Sequence, residues 1–227
     1  MWTTHQGAHW ISRVILAGRA IGDGLRLSAA MLLLAATISP TASGAQDNDA
    51  VDPHAHHHHN MSPETTRSTV NYTVPDVKLV RDDGKSVMLG DELNDGRPVV
   101  LTFIYTSCTT VCPMTSHTLA QLETKLGSAK SSVHLMSITI DPEQDTPQRL
   151  REYAKSYSAG PEWQHYTGSL AASQTAQRAF DVYRGNKMNH APAMLVRTAP
   201  GAPWVRIDGF ATADQLLAEL SNVRVAR

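Results

Sequence analysis

The sequence predicts an α/β fold, a three-layer sandwich with an N-terminal β-hairpin extension. Two apolar, β-rich runs, at 99–105 and 132–140, read as central strands. Amphipathic stretches at 114–126, 147–158 and 169–182 read as helices between strands. A second hairpin and a closing helix follow them. Strands that alternate with helices bury both faces of one sheet.

The elements follow in chain order. Residues 70–80 are extended, Asp82-Asp83-Gly84 is a turn signal and residues 86–89 return, which makes a hairpin. Gly96-Arg97-Pro98 precedes the first central strand. The second ends at Asp141-Pro142. Thr146 is the expected N-cap of the next helix, with Pro147 at its first position. Residues 163–166 form a short strand. Residues 193–197 and 204–207 pair across Thr198-Ala199-Pro200-Gly201, and 212–223 close the chain as a helix. No internal repeat is visible.

The chain has 227 residues, 41% of them hydrophobic, and a formal net charge of −1, ordinary for one globular domain plus extensions. The near-neutral balance gives no footprint for nucleic acid. Residues 1–45 read as an export signal: Arg13, Arg19 and Arg26 flank a 12-residue apolar run, and Ser43-Gly44-Ala45 offers a cleavage site. The run is shorter than the roughly 20 residues of a membrane-spanning helix; the alternative is an uncleaved anchor. Either way the remainder is expected outside the cytoplasm, in the periplasm. Residues 46–68 read as a flexible, His-rich tether, and 69–227 as the folded domain. The cluster His54–His59 in the tether is either a metal-gathering arm or without function.

Cys108 and Cys112 are the only cysteines, separated by three residues, in the stretch TFIYTSCTTVCPM. They fall between a strand and a helix whose first turn holds Pro113, and a strand, a cysteine-bearing turn and a helix make the thioredoxin-like arrangement. A helix N-terminus favours thiolate. Two thiolates one turn apart can close a disulfide, attack one, or clamp a soft metal such as Cu(I). A third ligand must come from elsewhere. Beyond the tether the histidines are His117, His134, His165 and His190. The spacing sends His117 to solvent, and His134 and His165 sit in strands as core or surface residues. His190 lies in a loop before the strand at 193, on the side that faces the cysteine turn in such a sheet. Two thiolates and an imidazole suit both Cu(I) and Cu(II).

TFIYTSCTTVCPMT, then SITIDPEQDTP, then a histidine before the next-to-last strand pair resemble the Sco/SenC family over roughly residues 70–222. Those proteins are thioredoxin-like copper-binding proteins that serve assembly of the copper A centre of cytochrome c oxidase. The resemblance implies that Cys108, Cys112 and His190 ligate copper, and that Asp141 tunes the site from outside the ligand set. It implies a copper-accepting subunit of a terminal oxidase as partner, with another copper carrier or a thiol reductant alongside. The chain departs from the family pattern at Asn189, where an aspartate is usual, and in a shorter segment before His190. A thiol–disulfide oxidoreductase is the main alternative function, although such enzymes usually carry two residues between the cysteines. A peroxidase and a purely structural disulfide are weaker alternatives.

Overall fold

A computed structural model describes residues 64–221 of the chain. The expected export signal, the His54–His59 cluster and nearly all of the tether lie outside the described residues. The described part is an eight-stranded sheet in the order β1-β8-β7-β4-β5-β6-β2-β3. The strands are β1 (Thr66–Val70), β2 (Lys78–Arg81), β3 (Ser86–Met88), β4 (Val99–Ile104), β5 (His134–Thr139), β6 (Trp163–Gly168), β7 (Ala193–Arg197) and β8 (Trp204–Asp208). The helices are α1 (Leu89–Leu93), α2 (Val111–Leu126), α3 (Pro147–Ser156), α4 (Leu170–Ala179) and α5 (Ala213–Ser221). β4, β5 and β6 run parallel, and the remaining pairings are antiparallel.

Every residue of β4 and β5 is buried, as expected of strands covered on both faces. The two-residue period splits them between layers. Val100 and Leu135 join Leu119 and Leu122 of α2 and Leu216 and Leu220 of α5 on one face. Leu101, Phe103, Met136 and Ile138 join Leu150 of α3, Ala172 and Ala176 of α4, and Phe180 on the other. Each fully buried leucine adds about 2 kcal/mol of transfer free energy to this packing. The predicted three layers are thus present, with β4 in the middle of the sheet.

Capping agrees with the sequence where the signal was strong. The Thr146 hydroxyl accepts the Arg149 amide at 3.3 Å, and Pro147 opens α3. α2 starts earlier than the expected residue 114, at Val111, which puts Cys112 inside its first turn. α1 was not foreseen. It is a single turn whose Leu89 and Leu93, four apart, both reach the core.

The N-terminal segment departs from the expectation. The hairpin β2–β3 exists, with Gly84 at φ +89° in its turn, but β2 also pairs with β6 and so extends the sheet. Residues 66–70 form a separate strand, β1, on the opposite edge against β8. The folded part therefore begins at Thr66 rather than Thr69. Polar composition made 66–68 read as tether; ladder bonds to β8 and the Arg67–Glu219 ion pair order it. The chain then crosses the sheet from one edge to the other, with Tyr72, Val74 and Val77 packed on the core.

Candidate functional site

β4 ends at Ile104, and the chain turns through Tyr105, Thr106 and Ser107 into Cys108, whose amide donates to the Tyr105 carbonyl at 3.1 Å. One buried carboxylate holds this turn. Asp145 accepts the Thr106 amide at 3.0 Å, the Thr106 hydroxyl at 2.5 Å and the Thr139 hydroxyl at 2.5 Å. Its own amide donates to the Asp141 carbonyl at 2.9 Å, which folds the segment after β5 back beneath the cysteines. The family resemblance points to Asp141 in this stretch, whereas the carboxylate that holds the turn is Asp145. Its partners, Thr106 and Thr139, lie outside the DPEQDTP stretch, so no local pattern there marks it.

The two cysteines are brought together but are not equivalent. Both are free thiols. The Cys112 amide donates to Cys108 Sγ at 3.4 Å. For Cys108, 7% exposed, burial pushes the thiol up. The Cys112 and Thr110 amides, the Cys112 thiol and the Tyr105 hydroxyl outweigh that, so its pKa falls to about 7. Cys112 is fully buried at 0% exposure. Burial pushes it far above the ordinary thiol value, and the neighbouring Cys108 and Asp145 charges push the same way. Near neutral pH Cys108 is therefore poised between thiol and thiolate, while Cys112 stays a thiol. The expectation of two thiolates at the helix end is corrected in this respect: the second negative charge would have no water around it and a like charge beside it. Tyr105, whose own pKa is raised to about 12 by burial and then by Cys108, stays a donor beside the Cys108 sulfur.

His190 follows a tight 3-10 turn at Lys187–Asn189 and is 9% exposed. Its Nε2–H donates to the Phe103 carbonyl of β4 at 2.9 Å. That bond fixes the tautomer and leaves Nδ1 with a lone pair, and Nδ1 is buried with no partner among the described residues. Burial lowers the ring's pKa, so the imidazole is neutral. Asp141 reaches this loop through its ion pair to Lys187 at 2.5 Å. Asp141, Arg184, Lys187 and His190 line a cleft of about 300 Å³ in which neither cysteine takes part.

Among the described residues, no three of His, Cys, Asp and Glu converge closely enough to hold a metal ion. The structure thus gathers Cys108 with Cys112 and leaves His190 apart, tied to the same strand through Phe103. The donor types fit a soft or borderline metal: a thiolate, a thiol that deprotonates on binding, and an idle imidazole nitrogen. The other histidines are placed as the sequence suggested. His117 is exposed, His134 bonds Gln164 and Tyr166 at 3.1 and 3.0 Å, and His165 is buried between Trp163 and Tyr153.

A parallel strand that delivers a low-pKa cysteine to a helix entry, with a buried second cysteine one turn on, defines a thioredoxin-like thiol protein. Within that class the chain belongs to the SCO1/SenC family, whose sequence pattern matches residues 65–224. It is similar to the SCO1 protein homolog of Bacillus subtilis (strain 168), 35% identical over 104 residues, which are 45% of this chain and 52% of that one. The chain thus spans about half the length of the curated relatives it matches. Among solved structures it resembles copper-bound ScoI of Arabidopsis thaliana at 26% identity and a TM-score of 0.54, over 69% of this chain and 97% of that one. It shares its fold with BsSco, a Sco-family cytochrome c oxidase assembly protein with a disulfide switch, at 24% identity and a TM-score of 0.59, over 71% of this chain and 99% of that one.

Proposed function

We propose that the protein is a copper chaperone that takes up Cu(I) and Cu(II) as cargo through Cys108, Cys112 and His190 and delivers it for assembly of the copper A centre of cytochrome c oxidase. The observation that carries this reading is the buried, unpartnered Nδ1 of His190, a neutral nitrogen lone pair with no structural work, tied to the strand that leads to two soft sulfurs. The copper-bound Arabidopsis relative supports the choice of metal. Because His190 stands apart from the sulfurs, loading must bring the 185–190 loop and the cysteine turn together. The recipient would be a copper-accepting subunit of a terminal oxidase, which takes the ion by exchanging its own thiolates for these. An export signal over residues 1–45, as the sequence suggests, would put this activity outside the cytoplasm, in the periplasm. No helix among the described residues is long and apolar enough to cross a membrane.

The test is an anaerobic Cu(I) titration of the reduced chain against a competing chelator, and a Cu(II) titration followed by thiolate-to-copper charge-transfer absorption. His54, His56, His57, His58 and His59 are first changed to Ala so that the tether cannot compete. One-to-one binding lost in Cys108→Ser and in Cys112→Ser is expected. Absence of tight copper binding would sink the reading.

The asymmetry of the thiols favours a second reading, extracytoplasmic thiol–disulfide exchange. Cys108 thiolate would attack a partner's disulfide and release one partner thiolate. Cys112 would then attack the Cys108 sulfur, releasing the second and leaving a Cys108–Cys112 disulfide that an external thiol reductant resets. Turnover of a disulfide substrate by protein that binds no copper would move the assignment to this reading.

A further inference from the structure

The loop that carries His190 also presents a thioether. Met188 is 73% exposed, a large apolar side chain in water beside the candidate site. Its position is built. The Met188 amide donates to Asn186 Oδ1 at 2.9 Å, and the Asn189 and His190 amides donate to the Asn186 and Lys187 carbonyls at 3.0 and 3.1 Å, which closes a tight turn with Met188 at its crown. Lys187 is bound to Asp141 and lies 5.6 Å from the centre of the Tyr105 ring. The turn is thereby held against Tyr105. The Met188 sulfur lies 3.8 Å from the Tyr105 hydroxyl, and the Tyr105 carbonyl accepts the Cys108 amide at 3.1 Å. Met188 and Cys108 thus share one neighbour, whereas the imidazole of His190 is turned to Phe103.

Resting on the copper reading above, we propose that Met188 is a further ligand selective for Cu(I). Thioether sulfur is soft and neutral and suits Cu(I), whereas imidazole also serves Cu(II). The 185–190 segment then offers two donors two residues apart, His190 for either ion and Met188 as an added hold on the reduced one. Cargo in either oxidation state is held by the same cysteines and His190, and only the reduced ion gains the thioether. The exposure of Met188 follows from this role, because a donor that hands its ion to a partner must be reachable from outside.

The experiment uses the full chain with the tether histidines changed to Ala, labelled with selenomethionine and loaded with equimolar Cu(I) under reductant. Selenium-edge X-ray absorption is expected to show a copper–selenium distance that is lost in Met188→Leu. In competition with bicinchoninate, Met188→Leu is expected to bind Cu(I) about tenfold more weakly, an equilibrium difference well within the reach of the assay. The Cu(II) charge-transfer band should be unchanged, and unchanged thermal melting would show that the fold is intact. No copper–selenium distance in the parent with unaltered Cu(I) affinity in the variant overturns the inference and leaves the copper reading standing. A copper–selenium distance that survives Met188→Leu assigns the thioether elsewhere, to exposed Met114 first, and also overturns it. Failure of the parent to bind Cu(I) at all removes the copper reading itself.

Discussion

Asp145 grips Thr106 twice, through the amide at 3.0 Å and the hydroxyl at 2.5 Å, and so ties the turn that carries the cysteines to the segment after β5. The carboxylate is fully buried and takes a third bond from Thr139. Asp145→Asn keeps the shape but points an N–H group at donors. Removing one acceptor from a charged, buried network costs about 2 kcal/mol. Urea unfolding should show a loss of that order, and because the Asp145 charge helps to hold Cys112 protonated, Cys112 should become easier to ionise. Unchanged stability would mean that the turn does not depend on this carboxylate.

Alkylation rates should separate the two thiols. In the reduced protein, one cysteine should react with iodoacetamide with a midpoint near pH 7, and mass mapping should place the label on Cys108. Cys112 should resist until the protein unfolds. Tyr105→Phe removes a hydrogen bond made to the charged form, so the Cys108 midpoint should move up in pH. A downward move, or early labelling of Cys112, would contradict the assignment.

His190→Ala should weaken Cu(II) binding more than Cu(I) binding, since the thiolates alone satisfy the softer ion. Parallel chelator competitions measure both. Equal losses would remove the oxidation-state preference assigned to this nitrogen. Affinity for either ion should also fall with decreasing pH, because binding displaces protons from the sulfurs.

His165 predicts an acid sensitivity unrelated to the metal. Burial lowers its pKa to about 4 in the fold, against 6.5 for a free side chain. Asp82 lies 3.9 Å from its Nδ1, with its own pKa raised by burial. As pH falls from 6.5 towards 4, the unfolded chain binds a proton that the folded chain refuses. Stability contributed by the neutral ring is full above 6.5 and should decline by about 1.4 kcal/mol per pH unit in that window. His165→Phe, which keeps the stacking on Trp163, should flatten the slope measured by urea unfolding at several pH values. An unaltered slope would place the sensitivity elsewhere.

Much of this was legible in the sequence because it is written locally. The run 99–104 could only be a doubly covered strand, Thr146-Pro147 could only start a helix, and a cysteine pair between strand and helix named its own chemistry. What escaped depends on distant partners. The strand at Thr66–Val70 is polar and gains its order from β8 at the far end of the chain. The role of Asp145 needs Thr106 and Thr139 beside it, which no local pattern records. The inequality of the thiols follows from burial of Cys112, and the distance of His190 from the sulfurs from a bond to Phe103. Both are properties of packing.

The pairing of β1 with β8 also sets a clock on how the protein comes to exist. Among the described residues β1 is the earliest strand to be synthesised, and its partner is the last. β2 in turn joins β6, which also pairs with β5. A contact network of such long sequence separation folds slowly, because loops must close before contacts reward them. During that interval the leading segment waits unpaired and the two thiols stand open to oxidants that the finished sheet would keep from Cys112. Folding of this chain is therefore exposed to mispairing and premature oxidation until β8 is in place, and a product that stops short of β8 would be made, but never sealed.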